Sequence, residues 1–192
     1  MKVFLTDQRN NFDKLLKQFI NTPVATFDLH RLKEKTSVIH INTKKKIQEL
    51  NLDFLFDYKI FPTHILGALT QWEHEQRKMK MGDTIVQQIF IPPIKNFSQK
   101  LLFGVRINSI VEEELRKGFS YQTLQGHVEL GESIFTIEQE SDRLNFKIQT
   151  FSTPGNAITK LLGPVFSLPY QSWCTKKVLE NVKRQIEAQS NA

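Results

Sequence analysis

The chain has 192 residues, an apolar fraction of 40%, 15 Phe against 8 Gly and 7 Pro, and a formal net charge of +6 from 26 Lys+Arg and 20 Asp+Glu. This composition describes one packed domain over residues 1–192 and excludes a disordered or low-complexity chain. With Cys174 as the single cysteine, it also excludes an intramolecular disulfide and a cysteine-built zinc site.

The first residues, MKVFLTDQRNNF, turn polar after Leu5 and lack the apolar stretch of a secretory signal. No window approaches 18 uncharged apolar residues, so no transmembrane helix is expected and the expected setting is cytoplasmic. In NFDKLLKQFI, residues 11–20, the apolar positions Phe12, Leu15, Leu16, Phe19 and Ile20 share one helical face, and Pro23 stops the helix. The β-branched stretch TSVIHIN, 36–42, reads as a strand and TKKKIQEL, 43–50, as a short helix. Residues 62–78 read as a longer helix, with Pro62 in its first turn and Ile65, Leu69 and Trp72 on one face.

From residue 84 the apolar period falls to two. Five strands are predicted, over 84–91, 101–112, 118–124, 132–139 and 143–152, in a meander of antiparallel neighbours. Beyond Gly155 a helical pattern returns in two pieces, broken at Pro164 and Pro169. The second carries Cys174, Val178, Val182 and Ile186 at every fourth position, with Leu179 beside them. The expected fold class is α+β, a curved antiparallel meander packed against a long C-terminal helix, with additional N-terminal helices.

The basic residues gather at Lys44–Lys46, at Arg77, Lys78 and Lys80, and at Lys176–Lys177 with Lys183–Arg184. No aromatic residues interleave with them as in a single-strand binding groove, so they read as solvated faces, and a partner- or nucleic-acid-binding module is the third alternative. His30, His40, His64 and His74 lack metal-ligand spacing, and no Gly-rich phosphate loop or nucleophile elbow occurs, so neither metal nor cofactor is expected.

The densest segment is GFSYQTLQGHVELGESIF, 118–135. Gly126 and Gly131 are the natural turn residues of a loop of about seven residues between two strands. His127 and Glu132 flank that loop. They form an acid–base pair if folded within reach of one another and of Tyr121; the favoured reading is that they fasten the loop. Trp72, Phe119, Tyr121, Thr123, Phe135, Phe146 and Trp173, with Arg106 as a polar group, would line a small-molecule pocket if they converge between sheet and helix.

The same segment resembles the G-F-x-Y-x-T-L-x-G-H-x-x-x-G-E-x-x-F signature of an uncharacterised bacterial and plant family, domain of unknown function nineteen-ninety. ALTQW at 68–72, Arg106, and FSTP with LLGPVF between 151 and 166 agree with it. The likeness covers about 61–184, while 1–60 match poorly; Gln122 and Ser133 stand where the family usually has Gly and a second acidic residue. The family is similar in element order to the helix-grip superfamily of START domains, polyketide cyclases and the birch-pollen allergen. That resemblance implies an apolar or amphipathic ligand held between sheet and last helix. Its enzymatic alternative is a cyclase or hydrolase using His127, Glu132 and Tyr121 at the cavity mouth.

Overall fold

A computed structural model describes residues 2–91, 99–154 and 168–190. Eight strands are present: β1 Lys2–Phe4, β2 Lys33–Ile41, β3 Leu66–Thr70, β4 Thr84–Ile91, β5 Gln99–Glu112, β6 Arg116–Thr123, β7 Glu129–Glu140 and β8 Arg143–Pro154. Seven run in the spatial order β2-β8-β7-β6-β5-β4-β3, and β1 pairs with β5 beyond the end of β6. Every pairing is antiparallel, which the short connections require between the successive strands β5 to β8. The helices are α1 Phe12–Ile20, α2 Asp53–Phe56, α3 Gln71–His74 and α4 Leu168–Ala188. The α+β class, the meander and the long C-terminal helix are therefore as the sequence predicts.

Strand alternation sorts the side chains onto two faces. The inner face packs on α4: Ile85, Val105, Ile107, Phe119, Phe135, Ile137, Phe146 and Ile148 form one core with Val178, Val182 and Ile186. Phe119 and Phe146 are fully buried there, each stabilising the fold by about 1.5–3 kcal/mol. The outer face is covered at one end by α1, whose Phe12, Leu15 and Leu16 pack on Val86 and Leu102. Arg106 holds α1 in place, its Nη2 donating to the Phe19 and Ile20 carbonyls at 2.9 Å and to Thr84 Oγ1 at 3.2 Å. A guanidinium there supplements the Thr22 amide on the Phe19 carbonyl and supplies a donor to the Ile20 carbonyl at the helix end.

The far half of α4 is fastened to the segment between β2 and β3. Asn181 Nδ2 donates to the Ile60 carbonyl, Gln185 Nε2 to the Lys59 carbonyl, and Gln189 Nε2 to the Asn51 carbonyl. Glu187 Oε1 accepts from the Asn42 amide, and Lys45 Nζ donates to the Gln189 carbonyl. The near end is held by Tyr170, whose hydroxyl donates to the Phe90 carbonyl at 2.6 Å, and by Gln171, which donates to Glu129.

Several expectations are corrected. The helix expected over 62–78 is a turn at Pro62–Ile65, the strand β3 and the four-residue α3, capped by Thr70 Oγ1 accepting from the Glu73 amide. Pairing with β4 satisfies the backbone of 66–70 and overrides the coincidental helical spacing of Ile65, Leu69 and Trp72. The helix expected over 43–50 shrinks to one 3-10 turn, Ile47–Glu49, with Glu49 bonded back to the Lys46 amide. Pro169 lies in the first turn of α4 and does not break it, because a first-turn proline gives up no internal hydrogen bond. The helical piece expected before Pro164 lies outside the described residues.

Gly131 is a strand residue and not a second turn. Its φ is +149°, and a Cβ there would sit 1.8 Å from the Phe151 carbonyl oxygen. Gly82 at φ +84° has nothing within 4 Å of such a Cβ. Gly131→Ala should therefore lose more than about 3 kcal/mol of stability, through backbone displacement between β7 and β8, whereas Gly82→Ala should lose only about 1–2 kcal/mol. Urea midpoints of the two variants check this contrast.

Candidate functional site

The β6–β7 connection places the residues of the dense segment. His127 donates its backbone N–H to the Leu124 carbonyl, and its ring nitrogen Nδ1 lies 2.8 Å from the Glu129 carbonyl oxygen and 3.0 Å from the Glu129 amide, the tautomer setting which of the two it bonds. The imidazole lies edge-on to Phe103, with ring centroids 4.1 Å apart. Burial against that ring holds His127 well below the usual imidazole range, at about 4, so it is neutral near pH 7. It fastens the turn.

Glu132 is elsewhere. β7 begins at Glu129, so alternation puts Glu129, Ser133, Phe135 and Ile137 on the inner face and Glu132 on the outer one. There Glu132 Oε1 accepts from Asn108 Nδ2 at 3.0 Å. The geometry thus separates His127 from Glu132, and Glu132 accepts from a side chain rather than from loop amides. The carboxylate that does reach the inner face is Glu129, which accepts a hydrogen bond from Gln171 and has the Ser152 hydroxyl as a polar neighbour. Its pKa is pushed up by burial, with Gln171 and Ser152 opposing.

The inner face also carries a neutral polar cluster within its aromatic core. Gln87 Nε2 donates to the Tyr58 hydroxyl at 2.5 Å, and Tyr121 and Ser133, paired across β6 and β7, stand beside that bond. Burial raises both phenols above their ordinary range. The rings close around them: Tyr58 lies 5.2 Å from Phe61, 5.9 Å from Phe119 and 6.3 Å from Tyr121, and Phe119 stacks on Phe135 at 5.2 Å. Tyr58 reaches this position from φ +61°, just after α2, where the Lys59 amide bonds back to the Phe54 carbonyl. Glycine is the usual occupant of such a helix end; a tyrosine there carries about 1–2 kcal/mol of backbone strain, accepted in return for a buried, hydrogen-bonded ring.

Of the other expected pocket residues, Phe119, Tyr121, Thr123, Phe135 and Phe146 share the inner face by strand alternation. Thr123 Oγ1 is taken by the Gly131 amide at 3.1 Å. Trp72 is 2% exposed within the same core, and its indole N–H has no partner among the described residues. Trp173 is 36% exposed on α4, stacked on Tyr170 at 6.0 Å with His64 edge-on at 6.4 Å. Arg106 points away, to the outer face and α1, so it is not brought together with the rest. Tyr58, Gln87 and Glu129 complete the inner cluster and were not among the expected residues.

The basic clusters are largely engaged. Arg77 forms a two-pronged ion pair with the buried Asp83, at 2.6 and 2.7 Å, Lys177 and Lys176 meet Glu180, and Lys183 meets Glu187. Among the described residues no helix is long and apolar enough to cross a membrane.

The sequence pattern described as Domain of unknown function (DUF1990) matches residues 51–181. No curated protein matches the chain. Among solved structures, the fold is similar to hypothetical protein jhp0584 from Helicobacter pylori, at TM-score 0.56 and 10% identity over 83% of this chain and 88% of that one. It is likewise similar to major latex-like protein 151 from Panax ginseng, at TM-score 0.53 and 12% identity over 81% and 97%. The KanY protein (ms6282) superposes at TM-score 0.52 and 13% identity over 81% and 98%. At these identities the likeness is one of fold, and the fold is of the helix-grip type.

Because folded His127 resists protonation that the unfolded chain accepts, the unfolded state binds more protons between about pH 4 and 6.5, and this residue's contribution to stability falls as pH falls through that window. Relative to His127→Gln, the natural chain should lose about 1–3 kcal/mol on going from pH 7 to pH 4. Denaturation midpoints of both proteins across that range read the difference.

Proposed function

The chain belongs to the DUF1990 family, and from that premise we propose that it binds an apolar or amphipathic small molecule on the inner face, between sheet and α4, with the molecule's polar end uncharged. The observation that supports this reading most is the set of neutral hydrogen-bonding groups, Tyr58, Gln87, Tyr121 and Ser133, within an otherwise aromatic surface. Small-molecule sites have this make-up, a largely apolar lining with a few convergent polar groups. Gln87 and Tyr58 are bonded to one another and the Tyr121 and Ser133 hydroxyls stand beside them, so a neutral polar end finds partners there, whereas a charged head would go uncompensated.

The entry side of the site is the half-exposed pair Tyr170 and Trp173 with His64. Glu129, whose pKa burial pushes up, lies near the same end of α4, where it accepts from Gln171. For a cyclase- or hydrolase-type reaction on this face, Glu129 and Tyr121 are the titratable pair in place, with Glu132 on the other side of the sheet.

2-Naphthol and 2-naphthoate, of matched shape, test the reading by NMR titration. Naphthol should shift the amides of Tyr121, Ser133 and Phe135 and the Trp173 indole, and naphthoate should bind at least about tenfold more weakly. Tyr121→Phe should weaken naphthol by about 3- to 10-fold, the worth of one hydrogen bond. Equal affinity for the two probes, or shifts confined to the outer face, would refute it.

A further inference from the structure

We propose that the outer face of the sheet carries a second site, independent of the inner one, that takes a small organic cation with an apolar body. A groove of about 480 Å³ is lined there by Phe27, Leu32, Glu34, Glu132 and Phe151. Its floor follows from the strand register: Glu34 of β2 pairs with Phe151 of β8, and Phe151 pairs with Glu132 of β7, so one ring stands between two carboxylates on a single row. With neighbouring strands about 4.8 Å apart, the two acidic residues are about 10 Å from one another across the ring. Its wall is the segment leading into β2. That segment is anchored to the end of β6 by the Val24–Leu124 bridge and by the Ala25 amide donating to the Thr123 carbonyl, and it brings Phe27 and Leu32 over the row.

The charges select the occupant. In a chain of net charge +6, neither carboxylate is paired with a Lys or Arg among the described residues. Both are steadied by neutral donors through one oxygen: Asn108 Nδ2 reaches Glu132 Oε1 at 3.0 Å, and Gln149 Nε2 and Thr36 Oγ1 reach Glu34 Oε1 at 2.7 and 3.3 Å. Oriented but uncompensated carboxylates beside two phenylalanine rings favour an ammonium group, which gains from the carboxylates and from the ring faces together. An anion meets two like charges. A neutral apolar molecule gains only the rings. The volume falls within the range of small-molecule sites.

Phenyltrimethylammonium and its uncharged counterpart tert-butylbenzene decide the matter by NMR titration. The cation should bind at millimolar or lower concentration, shifting the amides of Glu34, Glu132 and Phe151. Its affinity should fall about tenfold in the double variant Glu34→Gln, Glu132→Gln, whose amides keep the neighbouring hydrogen bonds and therefore the fold. Affinity that is equal for the neutral molecule, unchanged in the double variant, undetectable up to about 10 mM, or mapped to Tyr121 and Trp173 overturns the proposal. The last result would still leave the inner-face reading to the naphthol experiment, since the two sites lie on opposite sides of the sheet.

Discussion

The register of β7 against β8 is the constraint from which the rest of the structure follows. Gly131 lies against the Phe151 carbonyl so closely that no side chain fits between them, and the two strands can pair in one alignment at that point. Because side chains alternate, a slip of one residue would exchange the faces throughout. Phe135 and Ile137 would turn outward and Glu132 inward. The contact of two backbones therefore decides that the aromatic core meets α4, that Tyr121 and Ser133 share a hydrogen-bonding cluster, and that the outer groove has carboxylates on both sides of Phe151.

Much of this is legible in the order of the residues. The strands from 84 onward and α1 follow from periods of two and 3.6, because burial on one side leaves that mark in the residue order. The helix over 62–78 failed because Ile65, Leu69 and Trp72 fall three and four apart by chance, while pairing with β4 sets the backbone of 66–70. Reading Gly131 as a turn cut β7 short and left Glu132 beside the loop. Carrying the alternation back from Ile137 through Phe135 and Ser133 would have ended on Glu129. Gln87 had a signal too, as the polar member of the inner register Ile85, Gln87, Ile89. Tyr58 had none, since a positive φ at tyrosine comes from the helix end that precedes it and not from its own identity.

The inner face is filled in part by rings that do not belong to the sheet. Tyr58 and Phe61 occupy much of the space between Phe119, Phe135 and α4, and they arrive on a short segment between α2 and β3 rather than on the sheet. The phenol of Tyr58 is held by one amide from Gln87, and its ring stands edge-on to Tyr121, contacts that involve side chains alone. A wall built in this way is set by rotamers and by a strained backbone position, so its shape is adjustable where the strand-borne wall is not.

The fastening of α4 is uneven along its length. Beyond Val178, three side-chain amides reach backbone carbonyls of the 51–60 segment, and Glu187 and Lys45 tie the end to the β2 side of the molecule. Near Leu168 the ties described are the Tyr170 hydroxyl on the Phe90 carbonyl and the Gln171 amide on Glu129, both borne on side chains. Val182 and Ile186 of that C-terminal half are also fully buried in the core, whereas Trp173 near the other end is 36% exposed. The turns around Val178, Val182 and Ile186 are therefore where the backbone of α4 is best shielded from exchange with solvent.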